Sequence, residues 1–233
     1  MDRTVRRVLI ENNIRGDQVF ITDAKKTHHL LNVLRIRKGD DIRIFNEHDG
    51  EWLATIVNIK GKHIEAKIQQ KLREPEAGSG IRIAFSPIKQ DRLKFLIEKS
   101  TEIGVDSFIP VITNRSVIRD VNIKKLESYI VGAVEQSERI TVPTITKPYD
   151  LKDFLKDHNK DTIVFCNESE QNKSISRLDS DKNYIILIGS EGGFTEQENN
   201  LFAVYPNVIS VKLTKNILRA ETAAIVALSN FMI

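Results

Sequence analysis

The run Ile185-Ile186-Leu187-Ile188-Gly189-Ser190-Glu191-Gly192-Gly193-Phe194-Thr195, followed by Leu213-Thr214-Lys215-Asn216-Ile217-Leu218-Arg219-Ala220-Glu221-Thr222-Ala223, decides how this chain is read. Each half is an apolar stretch that stops abruptly in a loop and then opens a helix. In open α/β sheets, ligands settle in crevices outside the carboxyl ends of the strands. Two such loops close together in sequence can line one pocket. A dinucleotide fold carries its glycine turn in the first βα unit, whereas here the glycines lie near the C-terminal end. The loop Gly189–Gly193 matches neither G-x-x-x-x-G-K-[ST] nor G-x-G-x-x-G, which disfavours the usual phosphate cradles.

Working outward, Thr195 followed by Glu198 predicts a capping box and a helix starting there. Strands are expected at Ile81–Phe85, Phe108–Val111, Thr162–Cys166, Tyr184–Gly189 and Val208–Leu213. Helices are expected at Asp91–Gly104, Lys124–Gln136 and Ala220–Phe231. Strands alternating with helices predict an α/β domain. Upstream the rhythm differs. Ile42 and Ile44, then Trp52–Val57, then Ile64, Ala66 and Ile68 read as short strands between tight turns, a small barrel or curled sheet. A short helix, Thr27–Leu34, precedes them. Glu74–Gly80, rich in Pro, Gly and Ser, reads as the linker.

At 233 residues, 40% hydrophobic and 29% charged, the composition is that of a soluble globular protein. No stretch approaches the roughly 18 apolar residues of a membrane span. Met1–Arg7 lacks the apolar core of a secretory signal. Cys166 is the only cysteine, so an internal disulfide is impossible and a reducing cytoplasm is the expected location. The net charge of +3 is unevenly spread: residues 1–75 hold 15 Lys+Arg against 11 Asp+Glu, and the remainder 20 against 21. Clusters at Arg3/Arg6/Arg7 and Arg35/Arg37/Lys38 form the kind of basic face a phosphate backbone requires, a plain solvated surface being the alternative.

Three glycines in five residues allow a ligand close to the backbone; a tight turn into a capped helix is the competing explanation. Arg219 and Glu221 stand at the mouth of an apolar helix, and two positions apart they do not share a face. A structural ion pair is the plain reading, and their position beside the glycine loop favours a functional one. Adjacent His28 and His29 point in different directions and have no metal-ligand companion, so no metal is expected. Ser137 and Ser190 lack a nucleophile context, and Cys166 reads as a packed small hydrophobe.

Taken together, these two signatures resemble the ribosomal RNA small subunit methyltransferase E family of the SPOUT superfamily, whose members carry I-G-P-E-G-G and L-G-x-R-I-L-R-x-E-T-A. Further blocks agree in order: His28-His29-Leu30 with Val33-Leu34-Arg35 and Gly39-Asp40; Lys89-Gln90-Asp91-Arg92; Lys99 to Val105; Asn114-Arg115-Ser116; and Glu135 to Arg139. Ser190, Thr214 and Asn216 depart from the pattern. A β-branched Thr214 in place of glycine is expected to narrow the pocket.

The resemblance implies a PUA-like RNA-binding barrel over residues 1–73 and a SPOUT domain over 74–233 with a deep trefoil knot. Residue patterns alone would have argued against a knot, since knots are nearly absent from folds. It further implies a homodimer that transfers methyl from S-adenosylmethionine to N3 of a uridine in small-subunit (16S) ribosomal RNA, free or in the assembled 30S subunit. Cofactor binding then falls to Ile188, Gly189, Gly192, Gly193, Leu213, Asn216, Ile217 and Leu218. Uridine N3 must lose a proton, and the resulting anion spreads onto O2 and O4. Arg219 is the candidate to stabilise it, and Glu191 to take the proton, with helix capping or orientation of Arg219 as its alternative roles. Arg6, Arg7, Arg35, Arg37 and Arg115 are the expected RNA contacts. The departures at Thr214 and Asn216 leave open a non-catalytic RNA-binding or assembly factor, and the fold also allows a different RNA target.

Overall fold

Residues 5–14, 16–167, 175 and 183–232 are described in the computed structural model; Arg3 of the first basic cluster lies outside them. The chain forms two units. The first is Met1–Ala77 with Val134–Val142, and the second is Gly78–Ala133 with Pro143–Ile233. The division falls inside the expected linker, but the sequence contained no sign that Val134–Val142 belongs with the first unit.

The first unit is a five-stranded sheet of β1 (Arg6–Leu9), β2 (Gln18–Ile21), β3 (Asp41–Asn46), β4 (Gly50–Lys60) and β5 (His63–Arg73), in the order β1-β3-β4-β5-β2. β1 runs parallel to β3 and the other pairings are antiparallel. Alternation sets its register: Val19 faces Ala66 and Ile21 faces Ile64 across β2 and β5, and all four are buried. Ile42, Ile44, Ala54 and Ile56 continue the same core. The expected helix begins earlier than Thr27. Asp23 caps α1 (Ala24–His28) by accepting from the Lys26 N–H, and a π turn over His29–Val33 follows. The chain then leaves through Arg35, a non-glycine residue at φ 54°.

One expectation is corrected here. Arg7 is buried, not exposed to RNA. Its Nε meets Glu51 Oε1 at 2.9 Å, while Nη1 and Nη2 donate to the carbonyls of Val134 and Arg139, each at 2.8 Å. The guanidinium also lies 3.5 Å from the centre of the Phe45 ring. A buried charge needs partners in this number, and its burial keeps the guanidinium from a phosphate. Burial lowers the Arg7 pKa, and Glu51 opposes that shift.

The second unit contains β6 (Arg82–Phe85), α2 (Gln90–Ile103), β7 (Ser107–Ile112), α3 (Ile123–Ser137, its last turn belonging to the first unit), β8 (Thr144–Ile145), β9 (Tyr149–Asp150), α4 (Leu151–Asp157), β10 (Thr162–Cys166), β11 (Tyr184–Ile188), α5 (Glu196–Val204), β12 (Val208–Val211) and α6 (Ala220–Met232). The sheet is parallel, ordered β12-β10-β11-β6-β7-β8, with β9 also on β7. Strands covered on both faces read as continuous apolar runs, and every residue of β11 is buried. Gly104 ends α2 at φ 123°, a conformation glycine adopts freely. β12 lies at one edge of the sheet, yet α6 packs on α2 and β11. The segment 212–219 therefore crosses outside the carboxyl ends of β10 and β11. Among the described residues, no helix is long and apolar enough to cross a membrane, and no cluster of three or more His, Cys, Asp or Glu side chains could hold a metal.

Candidate active site

The first turn leaves β11 at Ile188, whose side chain is buried in the sheet. Gly189 must lack a side chain because the Phe194 ring lies over it; a Cβ there would stand 2.6 Å from Phe194 Cε2. The ring is held by Phe165 and Phe202 at centroid distances of 5.0 and 5.1 Å. Gly193 takes φ 66°, the left-handed conformation of a tight turn. The nearest atoms to a Cβ on Gly192 would be Arg115 methylenes, at ordinary contact. Two of the three glycines therefore have a purely local reason.

The turn is stitched to its neighbours. Thr195 Oγ1 accepts from the Glu198 N–H, and Glu198 accepts in return from the Thr195 N–H at 2.7 Å, completing the expected capping box. The other Glu198 oxygen accepts from the Asn114 N–H at 2.8 Å, in the loop after β7. From the same loop, Arg115 Nη1 donates to the Gly192 carbonyl at 2.7 Å, and the Ser190 hydroxyl donates to the Arg115 carbonyl at 3.3 Å. Serine in the proline position thus contributes a tie that proline cannot make.

The second turn, 213–219, lines a small cleft, with about 60 Å³ of free space, together with Cys166, Asn167, Lys212 and Ala223; Leu213, Thr214, Asn216 and Leu218 are the turn's own residues in it. Apolar Leu213, Leu218 and Ala223 line it together with the polar Thr214 and the two asparagines. Thr214 lies outside the positive-φ region, and its hydroxyl donates to the Asn216 carbonyl at 2.7 Å, so a β-branched residue is accommodated without backbone strain. Ile217 points away from this lining and is 80% exposed. Arg219 is exposed, and its guanidinium has no hydrogen-bond or ion-pair partner among the described residues. Glu221, by contrast, is buried. Burial pushes the Cys166 thiol up to about 12, so it is not a nucleophile at neutral pH.

Arg92 was not among the expected site residues, although its block was recognised. It stands in the first turn of α2, where β6 delivers the chain beside β11. Its Nη1 pairs with Glu191, and its Nε lies 3.9 Å from Glu221 Oε1. Glu191 therefore neither caps α5, which Thr195 does, nor pairs with Arg219. Of the expected RNA contacts in the first unit, Arg6, Arg35 and Arg37 are exposed, as are His28 and His29. In the second unit Arg115 is exposed as well.

Known proteins resemble this chain over nearly its whole length. Residues 75–232 match the RNA methyltransferase domain, and residues 21–69 match the RNA methyltransferase PUA domain. The ribosomal RNA small subunit methyltransferase E of Rickettsia conorii is 37% identical over 96% of this chain and 93% of its own length. That of Buchnera aphidicola is 30% identical over 100% and 98%. A crystal structure of the Neisseria gonorrhoeae ribosomal RNA small subunit methyltransferase E bound to S-adenosyl methionine superposes with a TM-score of 0.86 at 27% identity, covering 97% of this chain and 95% of that one. The chain belongs to the ribosomal RNA small subunit methyltransferase E family.

Proposed function

We propose that this protein methylates N3 of a uridine in 16S ribosomal RNA, with S-adenosylmethionine as donor, acting in the cytoplasm on the RNA or the assembled 30S subunit. The observation that carries this reading is the cleft at the carboxyl ends of β10 and β12, lined by Leu213, Thr214, Asn216 and Leu218. Its mixture of aliphatic side chains and exposed turn backbone suits an adenosyl group.

In this reading Leu213 and Leu218 enclose the base, with Asn216 and the backbone of Gly189, Gly192 and Gly193 at its border and Ile217 at the rim. Ile188 contributes by holding β11 in register, its carbonyl accepting from the Ser86 N–H at 3.0 Å. The donor, when bound, supplies an electrophilic methyl group. The chain itself supplies orientation and charge. Arg219, exposed and without a partner among the described residues, stands ready to stabilise the charge that gathers on O2 and O4 as N3 ionises. Glu191, held by Arg92, is our candidate for the carboxylate that takes the N3 proton. N3 lies on the Watson–Crick edge, so the base enters unpaired or flipped out. Arg6, Arg35, Arg37 and Arg115 grip phosphates.

The same reading makes residues 1–73 a PUA-like barrel and 74–233 a SPOUT domain whose C-terminal segment is knotted. The crossing of 212–219 from the sheet edge towards α2 supports the knot. Exposed Ile217 beside the cleft, and Val117 at 95% exposure, support a homodimer that covers them.

The test is labelled S-adenosylmethionine with undermodified small subunits. Label is expected at one uridine N3, and Arg219→Ala is expected to slow transfer by about 10²–10³ without lowering thermal stability. Label on a ribose, or none, overturns the reading.

A further inference from the structure

Arg92 is the single side chain that, among the described residues, touches acidic groups of both turns. It leaves the first turn of α2 with its side chain about two-thirds covered, and its guanidinium lies between Glu191 of the first turn and Glu221 at the start of the second turn's helix. The two contacts are unequal. Nη1 pairs directly with Glu191, whereas 3.9 Å from Nε to Glu221 Oε1 is charge attraction beyond hydrogen-bond reach. The other Glu221 oxygen is buried with no hydrogen-bond partner among the described residues. A carboxylate held this way depends heavily on the one cation facing it. Removing that cation would leave both acidic groups without the charge they share, and so weaken the tie between the turns carrying them.

Glu221 and Arg219 stand two positions apart where α6 begins. Whatever fixes Glu221 therefore also fixes the backbone from which Arg219 projects. A planar guanidinium spans two carboxylates, while a lysine ammonium is a point charge. We infer that Arg92 is a positioning residue of the methyl-transfer site: it ties the Gly189–Gly193 turn to the start of α6 through Glu191 and Glu221, and so sets where Arg219 stands. The inference rests on the proposed function and adds to it a residue that need touch neither donor nor RNA.

The test compares full-length wild type with Arg92→Ala, Arg92→Lys, Glu221→Gln and the Arg92→Ala/Glu221→Gln double variant. Lys94→Ala, which removes an outward ion pair with Glu98 on the same helix, serves as control. Amide exchange is expected to rise in both 189–193 and 213–221 in Arg92→Ala and in neither for Lys94→Ala. With undermodified small subunits, kcat is expected to fall roughly tenfold or more while KM for the RNA stays within about twofold, because a small misplacement at the site suffices for such a loss. Arg92→Lys is expected to recover part of kcat, and the double variant to be no slower than the worse single one. Arg92→Ala exchange confined to α2, a kcat equal to wild type, or additive losses in the double variant would each overturn the inference. Wild type that transfers no methyl defeats the proposed function instead, and the exchange arm still reads the tie.

Discussion

Alanine at Gly189 tests whether the first turn is shaped by aromatic packing or by the need to admit a ligand. The new Cβ would lie 2.6 Å from Phe194 Cε2, 3.2 Å from Cδ2 and 3.3 Å from Cζ. Favourable carbon contacts begin at about 3.5 Å, so the ring must move. It cannot swing freely, because Phe165 and Phe202 meet it edge-to-face at 5.0 and 5.1 Å, and they contact each other at 4.4 Å. Overpacking of this kind costs about 1–3 kcal/mol. A loss near 2 kcal/mol lowers Tm by about 4–8 °C in a protein of this size. The neighbouring glycines calibrate the result. Gly193→Ala meets no atom within 4 Å but must hold φ 66°, which costs about 1 kcal/mol. Gly192→Ala makes only ordinary contact with Arg115 and should change stability by less than about 0.5 kcal/mol. Urea melts of the three variants should therefore rank Gly189, Gly193, Gly192 from most to least damaging. Adding Phe194→Leu should relieve part of the Gly189→Ala loss. A Gly189→Ala protein that melts like wild type while losing affinity for S-adenosylmethionine would refute the packing argument and return this glycine to the ligand.

Arg7→Met should destabilise by about 3 kcal/mol in urea melts, because two carbonyls and the buried Glu51 lose donors; a midpoint equal to wild type would count against the network. By the same logic Arg7 contributes nothing to the salt dependence of RNA binding, whereas Arg35→Gln and Arg37→Gln should each reduce the salt slope by about one. Burial raises the Asp161 pKa, but hydrogen bonds and charge from Arg82 and His158 outweigh it, so the carboxyl stands below its ordinary 3.8. A depressed folded pKa gives stability that is complete above that value and lost as pH falls through the folded pKa. Urea midpoints of Asp161→Asn should thus vary less with pH below about 4 than those of wild type, and equal slopes would refute the assignment.

The sequence was legible where a local rule acts alone. Thr195 with Glu198 marked the start of α5, Gly104 the end of α2, and the alternation through Ile64, Ala66 and Ile68 the strand β5. It was illegible where an element is too short to show a period. β1 spans four residues and α4 seven, with Leu151, Phe154 and Leu155 as its only buried side chains. The two turns at 189–193 and 213–219 stood out because apolar runs end in them. Arg92 did not, since what distinguishes it is two partners about 100 and 130 positions away. Arg7 misled for the same reason: charge in a basic cluster reads as surface, and only the distant Glu51 and the carbonyls of Val134 and Arg139 bury it. The packing of Phe194 over Gly189 was not legible either, since neither residue type marks that contact.

The attachment of Val134–Val142 to the first unit has a practical corollary for anyone dividing this gene. A fragment stopped in the proline- and glycine-bearing linker would carry all five strands and yet omit the acceptors for Arg7, the Glu135 carboxylate that receives the Leu9 N–H at 3.0 Å, and the Glu138 partner of Arg43. Arg7 and Arg43 would keep the Glu51 they share but lose these further partners. The N-terminal sheet is thus no transplantable cassette: its last pieces are synthesised some sixty residues later, so it can finish folding only after much of the second unit has been made.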